Sequence, residues 1–340
     1  MKAAVLSAPG VVGVADVPDA RIEKPGDAVV RVVAAGICGT DLRGYAGLPG
    51  PVTGPLCGHE FVGVVEDVGH DVVLLRPGQF VVAPFMFSDG VCLQCARGQF
   101  SSCRAGGMWG IQAGGGQAEA VRVPFADATL VPVALERQDE RIPAILALAD
   151  VMATGRHAVL SSGRGAPRTV AVVGDGAVGL CSVLAARQAG ADTVLLLGHH
   201  EARAVVARGF GATEVITADD DHVEAVLAAT GGAGADLVVE ATANRTAAVT
   251  ALAACADGGV VSLVGGPHAG IDLMTCFGRG LTITGGLVPA RRYLPSLVRA
   301  VLAGELDPSP VFDREMALSD VEEGYRAMAN RQTIKVLLKP

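Results

Sequence analysis

Two textures of hydrophobic patterning divide the 340-residue chain near residue 150. In the first part, short segments such as Ala28–Ala34 and Phe61–Val68 alternate apolar and polar positions between Gly/Pro clusters. A period of two puts one face of each segment into a core and the other toward water. That predicts antiparallel strands in a mainly-β or barrel-like domain. In the second part, β-branched and leucine runs trade places with alanine-rich stretches of helical length. Thr169–Val173 is followed by Val178–Ala189, and Thr193–Leu197 by Glu201–Gly209; Ala235–Val239, Thr246–Ala254 and Gly259–Val264 continue the cycle. Strand–helix alternation predicts βαβ units around a parallel sheet, so the fold class is α/β. Leu294–Ala303 reads as a further helix ended by Gly304, and Thr333–Leu338 as a strand able to return to the first domain.

Composition sharpens this picture. Half the chain is hydrophobic and 18% is charged, which supplies a large core and excludes wholesale disorder. Aromatics make up only 4%, so the core must be built from Ala, Val and Leu. A net charge of −8 argues against nucleic acid or an anionic membrane as a main partner. No stretch approaches the ~20 apolar residues of a membrane span, and the start has no apolar run suited to a signal peptide. Eight cysteines in such a chain read as thiols or metal ligands rather than disulfides, and the expected location is the cytoplasm.

The strand Thr169–Val173 runs straight into Gly174-Asp175-Gly176-Ala177-Val178-Gly179, which opens an apolar helix. Gly174 suits a tight turn, Gly176 lets backbone approach a pyrophosphate, and Gly179 permits close helix–strand packing. With Ala177 and Val178, the helix start offers N–H groups and a positive dipole end to phosphates. The second strand ends at Gly198-His199-His200, where an NAD-binding unit places Asp or Glu on the ribose. Gly198 removes that acid, and His199, His200 and Arg203 stand ready for a 2′-phosphate. The expected cofactor is therefore NADP, with NAD possible. The rival reading is a solvated loop with incidental histidines.

Around Cys38 the chain reads Gly36-Ile37-Cys38-Gly39-Thr40-Asp41, and twenty residues later comes Gly58-His59-Glu60-Phe61-Val62-Gly63 followed by Gly69. Cys and His suit zinc, and a catalytic zinc needs three protein ligands and one open position. On these motifs the chain resembles, over essentially its whole length, the zinc-containing medium-chain dehydrogenase/reductases, the alcohol dehydrogenase family. The resemblance implies a GroES-like catalytic domain at 1–152, completed by 288–340, and a Rossmann dinucleotide-binding domain at 153–287. It also implies that Cys38, His59 and Asp150 bind the catalytic zinc, with Asp150 standing where many members have cysteine. Glu60 resembles the neighbouring glutamate that can exchange onto the metal, and Asp41 the carboxylate that orients the histidine. By the same resemblance Thr40 receives the alcohol proton, Thr154 contacts the nicotinamide, and the backbones at Val264 and Val288 hold its carboxamide. Phe85 and Trp109 match positions lining the substrate pocket, although both suit an ordinary core equally well. Relatives commonly carry a relay histidine five residues after the cysteine ligand; here Arg43 stands there, so the proton route is expected to be short.

A second cluster, Asp89-x2-Cys92-x2-Cys95-x7-Cys103, differs by one letter from that family's structural zinc lobe, with Asp89 in the first cysteine's place. Carboxylate oxygen is an acceptable zinc ligand, so a structural zinc is expected, against a lobe that simply carries three thiols. Cys57, Cys181, Cys255 and Cys276 fall outside either pattern and read as small buried hydrophobes. The expected activity is zinc-dependent hydride transfer between an alcohol, or its aldehyde or ketone, and NADP(H). The expected partners are that small molecule and further copies of the chain, in a homodimer or homotetramer touching near Leu281–Gly285, with no nucleic acid or membrane. The alternatives are a metal-free relative serving as an NADPH-binding or regulatory protein, and a zinc-independent double-bond reductase.

Overall fold

The computed structural model describes residues 1–48, 56–217, 221–266 and 271–340. The chain forms two compact units, Met1–Asp150 with Pro289–Pro340, and Val151–Val288.

The first unit is organised on the strand Ala28–Gly36. Its valines and alanines face a core that includes Val30, Phe61, Val81, Trp109, Val121 and Leu130. The strand pairs antiparallel with Glu60–Val68, Ala120–Val123 and Val336–Lys339, and this last strand also lies parallel to Arg314–Ala317. Register has a direct consequence here. Gly36 faces Glu60 across the ladder, so the residues just past one strand, Ile37 and Cys38, meet the residue just before the other, His59. The C-terminal strand is shorter than its apolar run predicts. The Ile334 and Lys335 N–H groups donate to the Asp313 carboxylate (2.9 and 3.2 Å) instead of entering the ladder.

The second unit holds six parallel strands among the described residues. Their spatial order is Glu214–Ile216, Thr193–Leu197, Thr169–Val173, Ala235–Glu240, Cys255–Leu263 and Thr282–Gly285. Counted along this unit the order is 3-2-1-4-5-6, the Rossmann arrangement, which bears out the expected α/β class. The helix Ala177–Gln188 buries Leu180, Cys181 and Val183 and packs closely on Val151–Leu160. A side chain at Gly155 would stand 2.6 Å from the Cys181 carbonyl carbon, so only glycine permits that approach. Val173 pairs with Leu197, which places Gly174 beside Gly198 where ligands of such sheets bind.

Two boundaries differ from the sequence pattern. The strand reaching Leu263 starts at Cys255, because Ala235 already pairs with Cys255 before a register shift. The helix Ala290–Leu302 begins before Leu294 and runs through Pro295, which removes one N–H from its ladder. Among the described residues no single helix is long and apolar enough to cross a membrane.

Candidate active site

Cys38 caps the short helix Gly39–Tyr45. Its backbone N–H donates to Asp41 Oδ2 (2.9 Å), and its sulfur accepts from the Thr40 N–H (3.5 Å), closing a reciprocal capping box. The cap fixes the thiol, Thr40 and Asp41 as one rigid group. Asp41 Oδ1 lies 3.2 Å from His59 Nδ1, and His59 Nε2 points the other way, 3.4 Å from Asp150 Oδ2. Asp150 Oδ2 is also 3.5 Å from the Cys38 sulfur. Cys38, His59 and Glu60 are buried, Asp150 is nearly so, and their ligand atoms all lie within 4.8 Å of one another.

These separations can be tested against zinc. Tetrahedral zinc with ordinary bond lengths separates sulfur from oxygen by about 3.6 Å and imidazole nitrogen from oxygen by about 3.4 Å. The observed 3.5 and 3.4 Å fit. Electrostatics points the same way, since burial and the Asp150 carboxylate push the Cys38 thiol up, a cost that a cation would offset. Burial alone would lower His59, but Asp41, Cys38 and Asp150 outweigh it and hold the imidazole well above its ordinary value.

Glu60 is turned toward Lys335, whose Nζ lies 2.8 Å from Oε1 and 2.7 Å from Oε2 and also donates to Ile37 O (3.1 Å). Burial raises the Glu60 carboxyl to about 7 even against the opposing lysine. A side chain at Gly36 would collide with the Glu60 carboxylate, which explains glycine at that strand position. Behind Asp41 lies Gln117, whose amide donates to Asp41 Oδ2 (3.3 Å) and to Gly36 O (2.9 Å). The buried Tyr325 hydroxyl donates in turn to Gln117 Oε1 (3.0 Å). Sequence reasoning missed Lys335, Gln117 and Tyr325. A lysine inside the otherwise apolar run that the sequence places at Thr333–Leu338 was the one available signal.

Thr40 Oγ1 lies 3.7 Å from the Cys38 sulfur. Phe85 meets His59 edge-on at 6.4 Å between ring centroids. Trp109 is different: it is fully buried against Phe61 and Phe87, and its indole N–H donates to Pro84 O (2.7 Å). Of the two readings left open for Trp109, the core aromatic is the one that this packing supports.

The second cluster sits in a lobe of short turns. Cys92 and Cys95 sulfurs are 3.6 Å apart, Cys92 and Cys103 are 3.9 Å apart, and the Asp89 N–H donates to the Cys103 sulfur (3.3 Å). Sulfurs on one tetrahedral zinc would be separated by about 3.8 Å, and a disulfide would need about 2.05 Å. Asp89 Oδ1 accepts the Val91 and Cys92 N–H groups (3.0 Å each). Those bonds outweigh desolvation and hold its carboxyl at about 2. Cys57, Cys181, Cys255 and Cys276 are all buried.

In the second unit, Gly174 has φ +110° and any side chain there would strike Thr242, while a side chain at Gly179 would strike the Gly174 carbonyl. A side chain at Gly176 would meet open space, so the first turn of the helix, with Ala177 and Val178, is approachable from outside. These features fit a dinucleotide pyrophosphate. Thr154 is buried in Val151–Leu160, and Val264 and the buried Val288 follow the C-terminal ends of adjacent strands.

One expectation at this site needs correction. Gly198 does not simply open room for a phosphate: a side chain there would stand 2.9 Å from Asp175 Cβ and 3.0 Å from its Oδ2. Asp175 accepts the His199 and His200 N–H groups (2.8 and 3.0 Å), and its Oδ2 meets His200 Nδ1 at 2.8 Å. Arg203 does reach back from its helix, but onto Asp175 Oδ1 (3.2 Å). Burial would raise the Asp175 carboxyl, and these partners outweigh it and hold it below the usual range.

Fold and donor sets together describe an NAD(P)-type oxidoreductase of the zinc-binding class. Comparison with known proteins agrees. Residues 24–133 match the alcohol dehydrogenase GroES-like domain and residues 177–303 the zinc-binding dehydrogenase domain. A protein of Mycobacterium tuberculosis named as a zinc-binding alcohol dehydrogenase is 34% identical, over 100% of this chain and 89% of its own. The solved alcohol dehydrogenase TADH from Thermus sp. ATN1 superposes with a TM-score of 0.90 at 32% identity, covering 100% and 99% of the two chains. A zinc-binding dehydrogenase from Sinorhizobium meliloti, bound to NADP, superposes with a TM-score of 0.87 at 29% identity, covering 100% and 99%. The chain belongs to the zinc-type alcohol dehydrogenase family of medium-chain dehydrogenase/reductases.

Proposed function

We propose that this protein is a zinc-dependent oxidoreductase that moves a hydride between an alcohol, or its aldehyde or ketone, and NADP(H). The observation that carries the reading is the pair of separations of Asp150 from Cys38 and from His59, 3.5 and 3.4 Å, which match those expected around one tetrahedral zinc. Zinc held there supplies Lewis acidity that polarises the substrate oxygen and lowers the alcohol's pKa.

The chain's own residues do the rest. Cys38, His59 and Asp150 are the ligands, and Asp41 fixes the tautomer of His59 so that Nε2 faces inward. Lys335 draws Glu60 away from the ligand set, so Glu60 reaches the metal only by giving up a buried ion pair. Thr40, held by the capping box, takes the alcohol proton at Oγ1. Arg43 cannot relay it, so the proton passes to water by the shortest path. Phe85 excludes water beside His59 and lines the substrate's pocket. The fingerprint turn Gly174–Gly179 holds the pyrophosphate; Thr154, Val264 and Val288 orient the nicotinamide; His199, His200 and Arg203 meet the adenosine end. Asp89, Cys92, Cys95 and Cys103 hold a second, structural zinc. The edge strand Thr282–Gly285 supports assembly into a homodimer or homotetramer by strand pairing.

A panel of primary, secondary and polyhydric alcohols with NADP and NAD, and the matching carbonyls with NADPH and NADH, tests the reading by reduced-nicotinamide absorbance. The expected result is turnover of at least one alcohol–carbonyl pair that a zinc chelator abolishes and zinc restores. Turnover indifferent to zinc removal, or activity confined to activated double bonds, would replace it.

A further inference from the structure

The strand that normally ends in a ribose-binding acid ends here in Gly198, yet a carboxylate stands beside it. Asp175 comes from the neighbouring fingerprint turn, and its side chain takes the place that a side chain on residue 198 would need. It is nearly buried and bound on both oxygens: Oδ2 by the His199 and His200 backbones and the His200 ring, Oδ1 by Arg203. The basic groups that would attract a 2′-phosphate are thus already engaged by an internal anion. One carboxylate against one guanidinium leaves the cluster without net charge from that pair. Oδ1 accepts from Arg203 at 3.2 Å, and a carboxylate oxygen can take a second donor such as a hydroxyl.

We propose that Asp175 sets this chain's choice between phosphorylated and unphosphorylated dinucleotide, by holding Arg203 and His200 as their counter-ion and so restraining the preference for NADP(H). This rests on the dinucleotide reading given above. Asp175 is a positioning residue in this account, acting on the 2′-phosphate through Arg203 and His200. Removing its charge takes away an anion that repels the 2′-phosphate and loosens one hold on the Arg203 guanidinium. The bare ribose gains nothing from the same change.

The test compares 2′,5′-ADP with 5′-AMP by calorimetry, and NADPH with NADH by kinetics, for the wild type and Asp175→Asn. Asparagine keeps an oxygen for the His199 and His200 N–H groups, so the turn is retained while the charge is lost. The expected result is about tenfold tighter binding of 2′,5′-ADP with 5′-AMP changed by less than about threefold. The NADPH/NADH ratio in kcat/KM should rise about equally, through KM for NADPH with kcat nearly constant. Adding Arg203→Ala to Asp175→Asn should erase the gain. Asp175→Ser is the second variant, read by the same ratios should asparagine disturb folding. An unchanged or lowered preference for the 2′-phosphate in the variants overturns the proposal. A wild type that binds neither nucleotide overturns the dinucleotide reading itself, and this inference with it.

Discussion

Among the described residues the molecule carries two four-residue donor clusters, and they are built in opposite ways. Cys38, His59, Glu60 and Asp150 come from three separate stretches brought together at the end of a buried sheet. Outer side chains stand behind them: Asp41 beside His59, Gln117 on Asp41, Tyr325 on Gln117, Lys335 on Glu60. Asp89, Cys92, Cys95 and Cys103 lie within fifteen residues of sequence, in a lobe of turns, supported mainly by backbone N–H groups. The buried cluster is held by the fold, whereas the lobe holds itself. A mixed set with one nitrogen, one sulfur and carboxylates, oriented by outer partners, suits chemistry; three sulfurs and one carboxylate in a closed turn suit structure.

That contrast can be broken most sharply at Cys38. Cys38→Ser should reduce turnover by about a thousandfold or more while dinucleotide binding and thermal stability change little, as expected for loss of a catalytic metal. A variant that is merely unstable, with full activity per folded molecule, would make the two clusters equivalent. Thr40→Ala should cost about 10²–10⁴-fold in kcat, the range for a lost proton-transfer group, with both metals retained. A change of only a few-fold would remove Thr40 from the proton route. Cys95→Ser should show the reverse signature, lowering Tm by about 1–2 °C for each ~1 kcal/mol lost, with kcat within about twofold of wild type. A fall in kcat with an unchanged Tm would give the lobe a catalytic role. Arg203→Ala leaves both clusters untouched and should do least, raising KM for NADP(H) by about three- to tenfold without moving kcat.

What the sequence disclosed follows the same contrast. The α/β class was legible because periods of two and of helical length are local properties, and Thr169–Val173, Thr193–Leu197 and Glu201–Gly209 form where the pattern puts them. The lobe was legible because its ligands are near neighbours in the chain. Lys335 was not, since it is 275 positions from Glu60 and only the pairing of the C-terminal strand with Ala28–Gly36 makes them meet. Gln117 and Tyr325 are 208 positions apart for the same reason. Asp175 lay in plain view inside the glycine fingerprint, but its side-chain direction depends on the parallel register of two strands. Trp109 shows the converse. A match in position suggested a pocket, and packing against Phe61 and Phe87 makes it core.

Metal content measured alongside activity tests the central claim most directly, namely that Cys38, His59 and Asp150 bind a catalytic zinc distinct from the zinc of the lobe. Elemental analysis of metal-replete protein should find two zinc ions per wild-type chain, one for each cluster. Cys38→Ser should hold one and be inactive, and Cys95→Ser should hold one and remain active for as long as it stays folded. A Cys38→Ser protein that keeps both its full zinc content and its turnover would contradict the account.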